Sequence, residues 1–199
     1  MKTVEIKLYK FDELSKEVQE KVIQNNRDIN VYDDWHEWIL EDWIKEEIPN
    51  KGFDATNIYY SGFWSQGDGA MFEYGGITDE LLNEFIDTLN LSPMRRQWLV
   101  NNLYAGANGN HSGRYSHEKC CSHTIHWDIV NAHWSTNLYK WIESFADDFE
   151  AFIIDRYEDI CRELYRELEK SYYYLTEERQ IVETLYGQDY DYTENGDIY

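Results

Sequence analysis

Five of the chain's six histidines, His111, His117, His123, His126 and His133, crowd into one short stretch with Cys120 and Cys121. Imidazole nitrogen and thiolate sulfur are the donors zinc prefers, so His117, Cys120, His123 and His126 form a candidate ligand set and, with it, a candidate metal-dependent enzyme. The spacing speaks against that chemistry. Adjacent cysteines and strand-like alternation send side chains to opposite faces, and no recognised pairing of zinc ligands occurs. The expectation is a surface hairpin carrying polar histidines, with no metal and no cofactor.

A second unusual stretch, Ser61-Gly62-Phe63-Trp64-Ser65-Gln66-Gly67-Asp68-Gly69-Ala70, sets two large aromatics beside a glycine-flanked carboxylate. Gly67 and Gly69 permit close backbone approach. Phe63, Trp64 and Asp68 then form either the lip of a binding site, with Asp68 accepting hydrogen bonds from a basic partner, or a tight hairpin in which Asp68 caps its own backbone. A phosphate loop is excluded because the Lys-Ser/Thr pair that completes one is missing. No Gly-x-Ser-x-Gly elbow supplies an activated nucleophile, and among 39 Asp+Glu no carboxylate pair stands out, so no catalytic residue is assigned and an enzyme is not expected.

Charge carries a third signal. The 39 acidic residues against 18 Lys+Arg give a formal net charge of -21, which repels phosphate backbones and attracts basic protein surfaces. Direct nucleic-acid binding is not expected. Acid is densest in the C-terminal third, where Asp147, Asp148, Asp155, Glu158, Asp159 and Glu163 fall mainly off the apolar stripe of a predicted helix. That face is either an ordinary solvated surface or a row of carboxylates for a basic groove to grip.

The elements that position these residues follow from periodicity. Val4, Ile6 and Leu8 alternate as a strand, and Ser15 opens a helix over residues 15 to 30. Trp35, Trp38, Ile39, Trp43, Ile44 and Ile48 mark a second helix, which Pro49 followed by Lys51-Gly52 should stop, since proline cannot continue a helix and glycine readily adopts the left-handed cap. Residues 53 to 63 and 70 to 74 read as a hairpin around the glycine-rich turn, and helices start at Thr78 and at Ser92-Pro93, the latter through about Tyr104. Gly106 to Gly113 reads as a loop, with strands at 114–117 and 122–130 forming a second hairpin. One long helix, kinked or straight, is predicted from about Ser135 to Tyr174, followed by a short helix from Thr176 and a turn at Glu194-Asn195-Gly196-Asp197. The fold class is α+β: a small antiparallel sheet of hairpins packed against amphipathic helices, with one long C-terminal helix. A single domain is expected over 1–199, with a mixed part at 1–134, a helical part at 135–186, and a tail or extra strand at 187–199.

Three cysteines, two of them adjacent, make a poor disulfide framework and fit a reducing compartment. The Met1–Lys7 segment lacks an apolar leader and no apolar run reaches membrane-spanning length, so a cytoplasmic protein without membrane contact is expected.

Tyr9-Lys10-Phe11-Asp12-Glu13-Leu14-Ser15, Val18-Gln19-Glu20-Lys21, Asp33-Asp34-Trp35, the Gly62–Gly69 turn and the closing Tyr190-Asp191-Tyr192-Thr193-Glu194-Asn195-Gly196 resemble a family of small acidic proteins from phages and bacterial mobile elements, some labelled antitoxin-like. The resemblance implies no catalytic residues. It implies a setting, the bacterial cytoplasm, and a class of role: inhibition of a basic host nuclease or defence complex, of the anti-restriction or anti-CRISPR kind, by nucleic-acid mimicry or otherwise. On that reading the partner-binding residues are Asp147, Asp148, Asp155, Glu158, Asp159, Glu163, Phe63, Trp64 and Asp68, and a homodimer through the long helix remains open. The alternative is an antitoxin-like regulatory module that binds through Trp35, Trp38, Phe63 and Trp64.

Overall fold

In the computed structural model, residues 5–129 and 136–199 are described. Val4, Val130, His133 and Ser135, which belong to expectations above, lie outside them. The chain is α+β, with four antiparallel strands in the order β1 (Phe53–Ser61), β2 (Gly69–Ile77), β3 (Leu103–His111) and β4 (Cys121–Ile129). Contacts divide it into two compact units, Trp38–Glu167 on one hand and Met1–Glu37 with Leu168–Tyr199 on the other.

In the Trp38–Glu167 unit the helical run starts with α2 (Glu37–Asp42), widens into a π-turn at Trp43–Glu47, and ends as α3 (Ile48–Asn50). The run ends at Asn50, capped by Lys51, with Gly52 at φ +98, so it stops at Pro49 and Lys51-Gly52 as expected. A proline ring inside a regular helix collides with the carbonyl four residues back. Here the widened turn precedes it, Ile48 N–H donating to the Trp43 carbonyl five residues back, and the run closes one residue later. Thr78 caps α4 (Asp79–Thr88), its Oγ1 accepting from the Leu81 N–H, and Ser92-Pro93 opens α5 (Pro93–Asn102) with proline in the first turn and no side-chain cap bond from Ser92.

The run of glycine and asparagine expected as a loop at 106–113 is mostly strand β3, paired residue for residue with β4. Its apolar alternation is hidden because neighbouring side chains occupy the space above its glycines. The His126 ring lies across Gly106, and the Tyr74 ring and Cys121 Sγ crowd Gly109. Conversely, the strand expected at 114–117 is an irregular connection into a short 3-10 turn at Glu118–Cys120, closed where Ser112 N–H donates to the Cys120 carbonyl at 2.7 Å.

The predicted long helix is two: α6 (Thr136–Glu143) and α7 (Ala146–Leu175). Along α7, Phe149, Ile153, Tyr157, Ile160, Leu164 and Leu168 repeat every three or four residues and are buried. Each is worth roughly 1.5–3 kcal/mol on burial against about 0–1 kcal/mol for an exposed ion pair, so packing rather than charge places this helix.

Tyr157 does more than fill space. Between β2 and β3 the only registered pair is Tyr74 with Gly109, which leaves the backbone of Phe72 without a strand partner on that side. The Tyr157 hydroxyl takes its place, donating to the Phe72 carbonyl at 2.9 Å and accepting from the Phe72 N–H at 3.2 Å. Nearby, a Glu73 carboxylate oxygen accepts from the His111 N–H at 3.0 Å. Two side chains thus satisfy backbone groups that an unbroken ladder would have paired.

The other unit has its own core: Phe11, Leu14, Val22, Ile23, Ile181, Leu185 and Tyr192, contributed by α1 (Lys16–Asn25), α8 (Glu178–Gln188) and the flanking chain. No strand spans residues 5–8. A lone bridge instead joins Tyr9 to Tyr192, each N–H donating to the other's carbonyl. The closing turn forms as a small hairpin, with Tyr192 bridged to Ile198 and Gly196 at φ +83, a left-handed conformation that suits glycine. No described helix is long and apolar enough to cross a membrane.

Candidate functional site

The acidic row on α7 divides in two. Its C-terminal members are engaged. Arg162 donates to Glu158 at 3.1 Å and to Asp159 at 2.7 Å, and Lys51 reaches Glu163 at 2.9 Å. Donation to Asp159 and then to Glu158 pushes the Arg162 pKa above its ordinary value. Farther along, Glu167 accepts from the Trp43 indole at 2.9 Å. Glu158, Asp159 and Glu163 are therefore engaged rather than a free negative surface: Arg162 is shared between the first two and Lys51 holds the third, which offsets part of their charge.

Asp147, Asp148 and Asp155 differ. All three are exposed, and among the described residues no ion pair engages them. At 100° and 1.5 Å per residue they fall within about 100° of one helical face and span about 12 Å along the axis. Asp147 and Asp148 occupy the first turn of α7, where carboxylates also offset the positive end of the helix dipole.

The glycine-rich turn resolves its two readings. A single Asp68 carboxylate oxygen accepts from the Trp64 N–H at 2.8 Å and the Ser65 N–H at 2.7 Å, so Asp68 caps its own turn. Phe63 is buried at 9% exposure, packed beside the Tyr165 ring at 5.5 Å, and is not open to a partner. Trp64 is 71% exposed. Of the three, Trp64 alone presents a surface. Trp38, on α2, is likewise 61% exposed, whereas Trp35 is half-buried and stands edge-on to Tyr172.

The histidine and cysteine residues do not converge. His117 caps the 3-10 turn, accepting from the Lys119 N–H, and its Nε2 lies 3.4 Å from Cys120 Sγ. His123 and His126 are three apart on β4, so strand alternation puts them on opposite faces: His123 half-buried with Nδ1 2.9 Å from the Tyr74 hydroxyl, His126 exposed over Gly106. Among the described residues no group of three or more His, Cys, Asp or Glu could hold a metal ion, and the candidate set His117, Cys120, His123 and His126 is set aside on that geometry.

Burial also quiets the Cys121 and Cys161 thiols. It pushes Cys121 up to about 11 and raises Cys161 and Tyr157 further still, keeping all three protonated. A protonated thiol is a poor nucleophile. His123 is held below the usual imidazole range by the same burial.

Sequence reasoning passed over one feature. Arg95 and Trp98 on α5, with Asn137, Leu138 and Trp141 on α6, line an open cleft of about 440 Å³. The residues lie some forty positions apart and share no motif, so only folding brings them together.

The chain belongs to the family described as Domain of unknown function (DUF8835), which matches residues 29–178. No curated protein and no solved structure matches the chain.

Proposed function

We propose that this chain is a protein-binding module that occupies a basic surface of a nucleic-acid-handling protein, through the N-terminal half of α7. The carrying observation is that Asp147, Asp148 and Asp155 share one exposed face and, among the described residues, form no ion pair, in a chain of net charge -21, while Glu158, Asp159 and Glu163 farther along are held by Arg162 and Lys51. Unpaired carboxylates on a rigid helix attract a basic partner at long range without first giving up cations of their own. In keeping with the resemblance to acidic phage and mobile-element proteins, the partner is a host nuclease or defence complex, the effect is inhibition, and the setting is the bacterial cytoplasm.

The test is capture from host lysate on immobilised protein at low salt, with stepwise salt elution, comparing the native chain with D147N/D148N/D155N. The expected result is a basic nucleic-acid-handling protein that elutes early in the salt steps and is lost with the triple variant, because screening shortens electrostatic reach to about 8 Å at physiological ionic strength. Equal retention by the variant overturns the proposal.

A second reading, the antitoxin-like regulatory module, draws on the exposure of Trp38 and Trp64. Under it Trp64→Ala abolishes capture and the aspartate variant does not.

A further inference from the structure

The cleft between α5 and α6 combines features that the acidic face does not need. Among the described residues its walls are the Trp98 and Trp141 indoles with Leu138, and Arg95 and Asn137 supply its polar groups. The Arg95 guanidinium lies over the Trp141 ring, 5.7 Å from its centroid. Its neighbour Arg96 is committed to Asp87, donating to both carboxylate oxygens. Arg95 has no such partner: among the described residues no carboxylate pairs with it, and segments 1–4 and 130–135 contain none. In a chain with 39 acidic residues, an arginine beside two indoles and without a carboxylate is a charge left for something else.

We propose that this cleft binds a small planar aromatic anion, an aromatic ring bearing a carboxylate or a phosphate. The volume of about 440 Å³ falls in the range of small-molecule sites. Indole walls favour a flat ring, which stacks with offset or edge-on geometry. A guanidinium laid on an aromatic face still offers its in-plane N–H groups, whose fork matches two oxygens of a carboxylate or phosphate. Asn137 adds an amide that can donate or accept. The opposite choice, a cationic ligand in an aromatic cage, is disfavoured because Arg95 already covers the Trp141 face and repels a second positive charge.

Calorimetric titration of the intact chain tests this with two anions, adenosine monophosphate and indole-3-acetate, and with their neutral counterparts adenosine and indole. Saturable binding of at least one anion, tighter than its neutral counterpart, is expected. The stronger of the two identifies a phosphate or a carboxylate as the charged group. Arg95→Gln should weaken the anion roughly tenfold or more while leaving the neutral counterpart unchanged, since it removes a charged hydrogen-bond donor and little packing. Trp141→Leu should weaken both, with unchanged thermal melts of each variant showing that the fold is kept. No saturable binding by either anion, or equal weakening of anion and neutral analogue by Arg95→Gln, overturns the assignment.

Discussion

Replacing Tyr157 with Phe removes one oxygen and leaves the ring in place, so it isolates the hydroxyl that stands in for a missing strand partner. Tyr157 is fully buried, and its ring packs between Phe72 at 4.6 Å and Tyr74 at 5.8 Å. Phenylalanine keeps that packing. What is lost is the donor to the Phe72 carbonyl and the acceptor for the Phe72 N–H, both in the interior. Leaving a buried backbone group unsatisfied costs about 1–3 kcal/mol, and two groups on one residue, partly relieved by local adjustment, should cost about 2–4 kcal/mol. For a chain of this length each kcal/mol lowers the melting temperature by about 2–4 °C, so a drop of roughly 5–15 °C is expected. Urea denaturation followed by circular dichroism measures the same loss independently, as a lower midpoint with an unchanged slope. A fall of less than about 2 °C would refute the reasoning, because it would mean that β3 or water serves Phe72 as well as the hydroxyl does.

Two further perturbations probe the same sheet. Gly109→Ala drives a Cβ into the Tyr74 ring and Cys121 Sγ, whereas a Cβ at Gly76 meets nothing within 4 Å; thermal melts should show a loss of about 1–3 kcal/mol for the first and little change for Gly76→Ala, and equal effects would contradict the packing described. His123→Asn keeps an acceptor for the Tyr74 hydroxyl but removes a half-buried imidazole whose pKa burial depresses. Below the unfolded value of about 6.5 the unfolded chain binds the proton more readily, so the native protein loses stability as pH falls from there towards the depressed folded value. Denaturation across a pH series should therefore show a shallower decline between about pH 7 and pH 5 for the variant, and parallel curves would show that His123 titrates as it does unfolded.

Sequence reasoning reached most elements whose burial follows a regular period. The stripe from Phe149 to Leu168, the Thr78 cap and the β1–β2 hairpin were legible because each depends on neighbours within a few residues. β3 was not, since the reason for glycine at 106 and 109 is the bulk of His126, Tyr74 and Cys121 arriving from other parts of the chain. The metal candidates fail for a related reason: closeness in sequence says little about a shared face when alternation along β4 separates His123 from His126.

By itself, then, the sequence determined the class of the fold, the position of its long helix and the sign of its surface charge, because composition and periodicity act locally and survive any arrangement of the elements. Only the tertiary structure decided which carboxylates are engaged. Asp155 and Glu163 look alike in sequence, yet Lys51, more than a hundred residues away, reaches only Glu163. It also decided that Phe63 is core and Trp64 surface, that Tyr157 completes β2, and that Arg95 meets Trp141. Each of these depends on distances between segments remote along the chain, which packing sets and local pattern does not.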